Sequence, residues 1–411
     1  MPFLDWNGKA LRTPKPASLS LDSVIYPRPA DWPACPPESR LFLGDNLAIM
    51  AALLPEYEGR INLIYADPPF FTNRHFTARI GRGEDSRKPR EWQLAAGYAD
   101  QWDNSDAYID FLYQRLALMV RLLAEGGTLY LHLDWHADAY ARLLLDELIG
   151  ADNFLNEIIW AYHGPSPIRS AFNRKHDTIL VYTKGPKYTF NADAVRVPYN
   201  DATVKTFAAS SKAGFGKIPN LLRGKVPEDW WYFPVVARLH NERTGYPTQK
   251  PEVLLERIIL ASSNPGDLVA DFFCGSGTMP LVAARHGRHF LAADATFRAL
   301  HTARERLVRA GSPPFAVYTT EAKMQAEKPV SAITFQHSSN KICLTSPEVP
   351  SYWEIDPNWD GHVFHSAVQA VLPLRSGEIV KSLSIPETCP EKVICVRAVT
   401  TGGEHIQICV E

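Results

Sequence analysis

The 411-residue sequence lacks the features that mark several large classes of protein. None of its six cysteines forms a CxxC pair or a cluster with histidine, so neither a structural zinc site nor a disulfide framework is expected. No apolar run approaches the ~20 residues needed to cross a bilayer. The first residues also lack the apolar core of a signal peptide. These absences predict a soluble, cytoplasmic protein with no metal site.

A strong net charge is also missing, because 43 basic and 45 acidic residues leave a total of −2. The near-neutral total conceals segments of opposite sign. Residues 161–250 hold fourteen Lys and Arg against six acidic residues, and residues 321–411 hold seven against eleven. Residues 72–90 carry six basic residues against two acidic ones. The middle of the chain is therefore basic and the tail acidic.

What is present is an alternation of predicted strands and helices. Buried strands are predicted at 61–70, 127–134, 156–162, 176–184, 268–274 and 288–294, from short apolar runs bounded by turn residues. Helices with apolar periodicity are predicted between most of them, the first with Asp45 or Asn46 as its N-cap and the second with Ser105 as its N-cap. This order is typical of an α/β, doubly wound, Rossmann-like sheet. Residues 72–106 show no regular pattern.

A glycine loop, Gly275-Ser276-Gly277, lies between a predicted strand and a predicted helix. Glycines at this position let a nucleotide-type ligand approach the helix N-terminus closely. The next strand ends in Asp294, whose carboxylate can accept hydrogen bonds from ribose hydroxyls. Pro280 occupies the place of the third glycine of a dinucleotide motif, which favours a smaller adenosyl ligand. A tight turn without a ligand is the less favoured alternative.

The tetrapeptide Asp67-Pro68-Pro69-Phe70 ends another predicted strand. Two prolines cannot continue a ladder of strand hydrogen bonds, so a rigid, exposed turn is predicted. Such a turn would present the Asp67 carboxylate and the Pro68 carbonyl as two acceptors for the N–H bonds of an exocyclic amino group. Phe70 could stack on the base that carries that group. From these residues alone, an ordinary strand-ending turn is equally acceptable.

The two motifs together resemble the signatures of S-adenosylmethionine-dependent amino-DNA methyltransferases, as Asp67-Pro68-Pro69-Phe70 and 273–278 (FCGSGT). The tetrapeptide precedes the glycine loop by 208 residues, an order that resembles the β group of adenine-N6 and cytosine-N4 methyltransferases. That group includes the modification subunits of type III restriction systems. Residues 245–251 (GYPTQKP) and 43–45 (LGD) resemble further segments of the family. The likeness covers about 41–310, and Phe70 stands where tyrosine is commoner.

The resemblance implies S-adenosyl-L-methionine as the methyl donor and assigns residues to it. It places the cofactor over Phe273, Gly275 and Gly277, with Asp294 on the ribose. Asp45 would lie near the adenine or, equally, would only begin a helix. The other implied cofactor residues are Asp271 and, at the methionine end, Thr248, Gln249 and Lys250. Catalysis is assigned to Asp67, Pro68, Pro69 and Phe70, and no metal is required.

The predicted elements and the resemblance together divide the chain into five parts. These are a proline-rich N-terminal arm (1–40), the catalytic half of the methyltransferase domain (41–190), a basic target-recognition insert (191–245), the S-adenosylmethionine-binding half (246–314) and a small all-β C-terminal domain (315–411). The arm is predicted to be extended, because eight prolines remove backbone donors. Dimerisation, docking of a restriction subunit and stabilisation of the fold are three open roles for the C-terminal domain.

Double-stranded DNA is the implied substrate, with the target base flipped out of the duplex. Its phosphates are expected to meet basic side chains from the basic segments. The candidates are Arg74, Arg79, Arg82, Lys88, Arg174, Lys175, Lys212, Lys217, Arg223 and Lys225. The window 72–90 is expected to be a mobile loop that closes on DNA.

Adenine N6 is the favoured target because Asp opens the tetrapeptide, whereas many cytosine-N4 enzymes have Ser there. Cytosine N4 is the first alternative. A catalytically silent DNA-binding subunit, and methylation of RNA or protein, are the others. The expected setting is a prokaryotic restriction–modification or orphan methylation system, in which DNA brings the protein to the nucleoid.

Overall fold

The computed structural model describes residues 3–28, 36–80, 93–165, 167–209, 220–237, 240–320, 333–338, 340–374, 377–386 and 393–410. Its helices in these ranges are α1 (Asn46–Tyr57), α2 (Ser105–Leu122), α3 (Asp138–Leu145), α4 (Asp201–Ala209), α5 (Glu252–Ser262), α6 (Thr278–Arg285) and α7 (Phe297–Arg309). Among these residues, no helix has both the length and the apolar character to span a membrane.

The strands fall into two sets along the chain. The first twelve are β1 (Leu19–Ile25), β2 (Arg40–Leu43), β3 (Ile61–Ala66), β4 (Arg74–Ile80), β5 (Gln93–Asp100), β6 (Leu123–Leu133), β7 (Phe154–Ala161), β8 (His176–Thr183), β9 (Trp230–Tyr232), β10 (Leu268–Asp271), β11 (His289–Asp294) and β12 (Phe315–Thr320). The others are β13 (Phe335–Ser338), β14 (Lys341–Leu344), β15 (Tyr352–Trp359), β16 (Phe364–Ser366), β17 (Val368–Val371), β18 (Ser382–Ser384), β19 (Val393–Val399) and β20 (His405–Val410).

A mixed sheet of eleven strands, in the order β16-β1-β12-β2-β11-β10-β3-β6-β8-β7-β9, forms the centre of the fold. The strands from β12 to β6 in this order are all parallel. Their C-terminal ends define what we call the carboxyl edge, and their N-terminal ends define the amino edge. Because β8 is antiparallel to both β6 and β7, the connection from β7 to β8 also lies at the carboxyl edge.

Helices cover both faces of this sheet. Residues of α1, α2 and α3 form one apolar core with it, around Leu53, Leu116 and Leu144. Residues of α5, α6 and α7 form a second core on the other face, around Ile258, Val282 and Leu307. A sheet with both faces buried needs apolar runs rather than alternating ones, as its central strands have. The predicted α/β doubly wound class is therefore confirmed.

Helix starts follow the expected capping chemistry with one shift. The Asp45 side chain accepts a hydrogen bond from the Ala48 N–H (3.1 Å), so Asp45 caps α1. For α2 the cap is Asn104, which accepts from the Ala107 N–H (2.9 Å), and the prediction of Ser105 was one residue late. Both Asn and Ser satisfy a free N–H at a helix start, so composition alone does not separate them.

Three stretches differ from the sequence predictions. Residues 19–25 are not part of an extended arm but form β1, which pairs with β12 and β16, because their apolar side chains complete the sheet. Residues 72–106 are not irregular throughout, since β4 and β5 pair as an antiparallel ribbon. β12 at 315–320 belongs to the central sheet rather than to the C-terminal β domain.

The remaining C-terminal strands form two small sheets, β13-β14-β18 and β17-β15-β19-β20, around a core that includes Trp353 and Val396. This domain contacts α7 directly. A buried ion pair joins Arg304 to Glu354 (3.6 Å), and the rings of Phe297 and His405 meet with centroids 3.9 Å apart. Since β16 also extends the central sheet, the domain is built into the fold rather than tethered to it.

Candidate active site

Three carboxylates meet at the carboxyl edge because β3, β10 and β11 are neighbours in the sheet. Asp67 follows β3, Asp271 ends β10 and Asp294 ends β11. Beside them lies a cavity of about 430 Å³. Predicted residues that line it are Asp67, Pro68, Pro69, Phe70, Asp45, Thr248, Gln249, Lys250, Asp271, Phe273, Gly275 and Asp294. Two motifs 208 residues apart in sequence therefore share one cavity.

The turn after β3 is held by a single buried carboxylate. We call it the catalytic turn (67–72), after the role that the sequence predicts for it. Asp100 accepts hydrogen bonds from the backbone N–H groups of Phe70 (3.2 Å), Phe71 (3.0 Å) and Thr72 (2.7 Å). It also accepts from the Thr72 hydroxyl and from the Trp102 indole, each at 2.7 Å. Phe71 adopts a positive φ of 65°, which a side chain avoids unless the surroundings hold it. Asp100 supplies that restraint.

Within the turn, the two oxygens of Asp67 have different environments. Oδ2 pairs with Nζ of Lys250, a side chain that is only 8% exposed. Oδ1 is buried and has no hydrogen-bond partner among the described residues. A buried carboxylate oxygen without a donor is costly, so such an atom indicates the place of a ligand's N–H or O–H group. Lys250 Nζ also lies 5.2 Å from the centre of the Phe70 ring.

The glycine loop is held by short-range contacts with its two neighbouring strands. The Asp271 carboxylate accepts from the Phe273 N–H (3.0 Å), and the Asp294 carboxylate accepts from the Gly275 N–H (3.1 Å). Gly275 and Gly277 have φ of 49° and 75°, values that glycine adopts without strain. Gly277 does not line the cavity. A Cβ atom there would lie 2.4 Å from Cβ of Ala303, so Gly277 allows α6 and α7 to pack closely.

The carboxyl groups beside the cavity are buried close to one another. Burial raises the pKa of Asp271 well above its ordinary value, and the nearby carboxylates of Asp67 and Asp294 raise it further. Burial likewise raises the pKa of Asp294, against hydrogen bonds from Thr296 and Gly275 that lower it. Carboxyl groups that oppose one another's ionisation are stabilised in their ionised form by a bound cation.

Behind Phe70 lies a chain of buried polar side chains on neighbouring strands. The His132 ring stacks on Phe70 with centroids 5.9 Å apart. Its two nitrogens bond to the Tyr65 hydroxyl (2.8 Å) and to the Asp177 carboxylate (3.1 Å). Burial alone would raise the pKa of Asp177, but the hydrogen bond from His132 and the charge of Lys250 lower it. These contacts fix the orientation of the ring that supports Phe70.

Three further predicted cofactor residues also have partners in the protein. Gln249 accepts from the N–H and the hydroxyl of Thr244 (both 2.9 Å) and donates to the Glu242 carbonyl (2.7 Å), so it organises the loop before α5. The Thr248 hydroxyl meets that of Tyr98 (3.2 Å). Asp45, besides capping α1, accepts from Arg115 (2.9 Å).

The predicted DNA contacts separate into three groups. Arg74 and Arg79 lie on β4, which follows the catalytic turn, and Arg174 and Lys175 precede β8 at the carboxyl edge. Arg223 pairs with Asp193 (2.7 Å) and Lys225 pairs with Glu228. Arg223 and Lys225 lie near residues 191–197. Asn191 in turn donates hydrogen bonds to backbone carbonyls at the end of α5, which lies at the amino edge. The structure therefore does not bring Arg223 and Lys225 to the cavity. Arg82, Lys88, Lys212 and Lys217 lie outside the described residues, as does most of the predicted closing loop.

The segment that carries this geometry matches a known protein family. The family model of the N6 and N4 methyltransferases, described as DNA methylase, matches residues 61–305, which include both the catalytic turn and the glycine loop. The chain belongs to this family. It is a DNA methylase of the N6/N4 type, and S-adenosyl-L-methionine is the methyl donor of that family. The predicted recognition and cofactor are confirmed, and the likeness to type III modification subunits stays a prediction.

Individual relatives of this DNA methylase match it over about 60% to 70% of its length. The type II methyltransferase M.HpaI of Haemophilus parainfluenzae is 32% identical over 251 residues, which are 61% of this chain and 69% of that protein. The DNA adenine methyltransferase YhdJ of Escherichia coli (strain K12) is 33% identical over 252 residues, 60% of this chain and 75% of that protein. A putative DNA modification methylase from Thermus thermophilus, solved with S-adenosyl-L-methionine, is 22% identical, with a TM-score of 0.43, over 69% of this chain and 99% of that one.

The residues of the cavity fit the cofactor of the family. S-adenosyl-L-methionine carries a sulfonium and an ammonium group, and the carboxyl groups of Asp67, Asp271 and Asp294 line the cavity, where those cations would favour their ionised form. The aromatic ring of Phe273 lines the same cavity. A DNA methylase needs this cavity to open toward its substrate, and Phe70 and Lys250 stand on its wall beside Asp67.

Sequence reasoning missed the residues that position the motifs. Asp100 lies about thirty positions after the turn that it holds, and no local pattern connects the two. Tyr108, whose hydroxyl donates to the Pro69 carbonyl (2.9 Å), and His132 lie on elements that read as ordinary core. A weak signal did exist, since a polar His within the apolar run 127–134 requires a buried partner.

Proposed function

We propose that the chain transfers a methyl group from S-adenosyl-L-methionine to the N6 amino group of adenine in double-stranded DNA. The observation that carries this proposal is the buried Oδ1 of Asp67, which has no hydrogen-bond partner among the described residues. It belongs to the cavity wall, as does Phe70. An acceptor of this kind suits an amino N–H, and the neighbouring ring suits a base. The name of the relative YhdJ, a DNA adenine methyltransferase, supports adenine as the base.

In the proposed reaction, the target base leaves the duplex and stacks on Phe70. Asp67 Oδ1 and the Pro68 carbonyl accept the two N–H bonds of the amino group, which orients its nitrogen toward the glycine loop. The bound cofactor supplies an electrophilic methyl group on a sulfonium, a leaving group that needs no acid catalysis. Lys250 keeps Asp67 Oδ2 in place through its ion pair, so the other oxygen can accept a proton as the nitrogen gains its methyl group. Orientation of this kind is a major source of rate acceleration.

The proposed cofactor residues follow the cavity wall. We assign Phe273, Gly275, Asp271 and Thr248 to the methionine side and Asp294 and Asp45 to the nucleoside side. Gln249 is assigned to holding the adjacent loop, because both ends of its amide are bonded within the protein. Lys250 is assigned to Asp67 rather than to the cofactor carboxylate, since its ammonium group already has a carboxylate partner. Gly277 is assigned to helix packing.

For DNA, we propose that Arg74, Arg79, Arg174 and Lys175 contact phosphates at the carboxyl edge. Arg82, Lys88, Lys212 and Lys217 stay sequence predictions. A restriction–modification setting is supported by the type II methyltransferase M.HpaI among the relatives. The C-terminal domain is assigned to stabilising the fold, because β16 extends the central sheet and Arg304 pairs with Glu354 across their contact. We make no assignment of a dimer interface.

The test is methyl transfer from labelled S-adenosyl-L-methionine to unmethylated genomic DNA, followed by nucleoside analysis. We expect label in N6-methyladenine. In Asp67→Asn the rate of methyl transfer should fall about 100-fold or more, because the side chain keeps its shape but has one acceptor oxygen instead of two. Asp152→Asn, an exposed Asp before β7, is the matched control and should retain activity. Label in N4-methylcytosine would show that the target is cytosine N4 and not adenine N6. Absence of label in DNA, with cofactor bound, would contradict catalysis and favour a silent subunit.

A further inference from the structure

The connection from β7 to β8 presents a phenylalanine to solvent at the carboxyl edge. Phe172 is 98% exposed, although apolar rings of this size are normally at least half buried. Its neighbours in the connection, residues 162–165 and 167–175, form no helix or strand. An aromatic ring this exposed gains no burial on folding, so its apolar surface is available to a partner outside the molecule.

The tip that carries Phe172 is nevertheless held in one shape. Asn173 bonds Ile168 through both groups of its amide, accepting from the backbone N–H and donating to the carbonyl, each at 3.1 Å. At the base of the loop, the Tyr162 N–H donates to the Lys175 carbonyl (3.0 Å). The Arg174 guanidinium lies 3.9 Å from the ring centre of Trp135, which follows β6. The loop is therefore pinned at its base and closed by Asn173.

The surroundings of Phe172 suit a polyanion. Residues 162–176 contain Arg169, Arg174 and Lys175 and not one Asp or Glu. The contrast is Leu222, which is fully exposed too but stands next to Arg223, whose charge is paired with Asp193 toward the amino edge. An exposed ring flanked by cations fits a partner with phosphates outside and apolar surfaces within.

The loop is also close to the reacting turn in the topology of the sheet. Trp135, which supports Arg174, comes three residues after His132, and His132 stacks on Phe70. The loop and the catalytic turn thus lie at the same edge of the sheet. The strands beside them, β8 and β3, are separated only by β6.

We propose that Phe172 is a wedge that enters the base stack of DNA as the target base leaves it. The proposal rests on the DNA methyltransferase function given above. A flipped base leaves a gap between its neighbours, and apolar side chains inserted between base steps are a known means of holding DNA unstacked. Because Asn173 and Trp135 hold the loop in advance, little conformational entropy is lost on insertion. Arg169, Arg174 and Lys175 then meet the phosphates on either side.

The first experiment measures binding and needs no knowledge of the recognition sequence. Fluorescence polarisation compares a random-sequence duplex that contains one abasic site with the intact duplex. The wild-type protein is expected to prefer the abasic duplex about 10-fold, since the gap is already open. Phe172→Ala should reduce this preference to less than 2-fold, and Phe172→Leu should keep most of it. Leu222→Ala, with the same exposure elsewhere, should behave as wild type.

The second experiment measures methylation at a site mapped from methylated genomic DNA. With a paired target adenine, Phe172→Ala should lower kcat/KM about 30-fold relative to Leu222→Ala. With the target mispaired, so that little energy is needed to extrude it, the loss should shrink to about 3-fold. An equal loss on both duplexes, or no loss on either, would overturn the wedge. Melting temperatures of both variants should match wild type, because neither side chain is buried.

The two arms separate this proposal from the function on which it rests. A preference for the abasic duplex that depends on Phe172, in a protein that methylates no DNA, would support the wedge and refute the methyltransferase reaction. Methylation of adenine that is indifferent to Phe172, with equal binding to both duplexes, would support the reaction and refute the wedge.

Discussion

The catalytic turn and the glycine loop stand side by side at the carboxyl edge, but they are held in place by different means. The turn depends on residues far away in sequence, with Asp100 bonding three of its N–H groups and Tyr108 its Pro69 carbonyl. The loop depends on the ends of the two strands that flank it, Asp271 and Asp294, and on the close approach of Gly277 to α7. The turn is held mainly by one carboxylate about thirty residues away, whereas the loop is held by the ends of its flanking strands and by contacts with α7.

Because of this difference, cofactor binding and methyl transfer can be separated by substitution. A loop held by its own strands should survive damage to the turn, so cofactor affinity and methyl-transfer rate should respond to different substitutions. The ion pair between Lys250 and Asp67 is the place where the two meet, since Lys250 precedes α5 and its carbonyl accepts from Thr278 of α6 (3.1 Å).

The largest separation is expected from Asp100→Asn. An amide keeps one acceptor oxygen but turns an NH2 group toward N–H donors, so at least two hydrogen bonds to a charged group are lost, at about 1.5 kcal/mol or more each. We expect the single-turnover methyl-transfer rate to fall about 100-fold, while the dissociation constant of the cofactor changes less than 3-fold. Rapid-quench transfer and calorimetric titration of S-adenosyl-L-methionine measure the two quantities.

Asp103→Asn is the control for that change, because Asp103 is exposed and lies three residues further along the same segment. It should leave both quantities as they are. If Asp100→Asn weakened the cofactor as much as it slowed transfer, the turn and the loop would be one mechanical unit and the distinction between them would fail.

A smaller effect of the opposite kind is expected from Gly277→Ala. The new Cβ would lie 2.4 Å from Cβ of Ala303, and a φ of 75° adds strain of about 1 kcal/mol. We expect α6 to shift and cofactor affinity to fall about 10-fold, with the transfer rate from the saturated enzyme within 3-fold of wild type. Equilibrium binding and single-turnover rates at saturating cofactor decide this.

Gly266→Ala provides a matched comparison, since its φ is 86° but no atom of the described residues lies within 4 Å of the new Cβ. It carries the backbone strain without the collision, so it should lower the melting temperature and leave cofactor affinity unchanged. Equal effects of the two alanines on affinity would show that strain, and not packing against α7, is what matters at Gly277.

The smallest effect is expected from Asp271→Asn, on stability. The folded pKa of Asp271 is raised by burial, with Asp67 and Asp294 adding to it, so ionisation of Asp271 opposes folding. Wild-type stability is therefore lost as pH rises from the ordinary Asp value of about 3.8 through the folded pKa. The Asn variant escapes this loss and should gain about 1 kcal/mol in free energy of unfolding at pH 8. Urea unfolding at pH 8 and near pH 4 should show the gain disappear at the lower pH, whereas a gain that is independent of pH would exclude ionisation as its cause.

The fold was largely predictable because its central strands are apolar runs between turn residues. Strands at 176–184 and 268–274 and the helices that alternate with such strands could be predicted from local periodicity alone. β1 could not, because its partners β12 and β16 lie about 290 and 340 residues away and its flanking prolines indicated an extended arm. The paired strands β4 and β5 were missed because charged residues interrupt the apolar pattern of β4 and small residues weaken that of β5.

The site was predictable to the extent that its chemistry is local. Asp67 and Phe70, or Gly275 and Asp294, stand in short patterns that carry their own meaning. The partner of Lys250 was not predictable, since only the adjacency of β3 and β10 brings Asp67 within reach of it. The same limit applied to Arg223 and Lys225, whose charges predicted phosphate contacts but are paired with acidic residues near the amino edge.

The pairing of β1 has a consequence for the order in which the protein is made. A ribosome releases residues 19–25 early, but β12 and β16 emerge only after residues 315 and 364. Domains tend to fold as they are synthesised, from the N-terminus onward. The strands from β2 to β11 can assemble first, while β1 waits with its backbone N–H and C=O groups exposed. Closure of the sheet is then among the last steps, and until the C-terminal strands arrive the unpaired β1 is open to pairing with other chains.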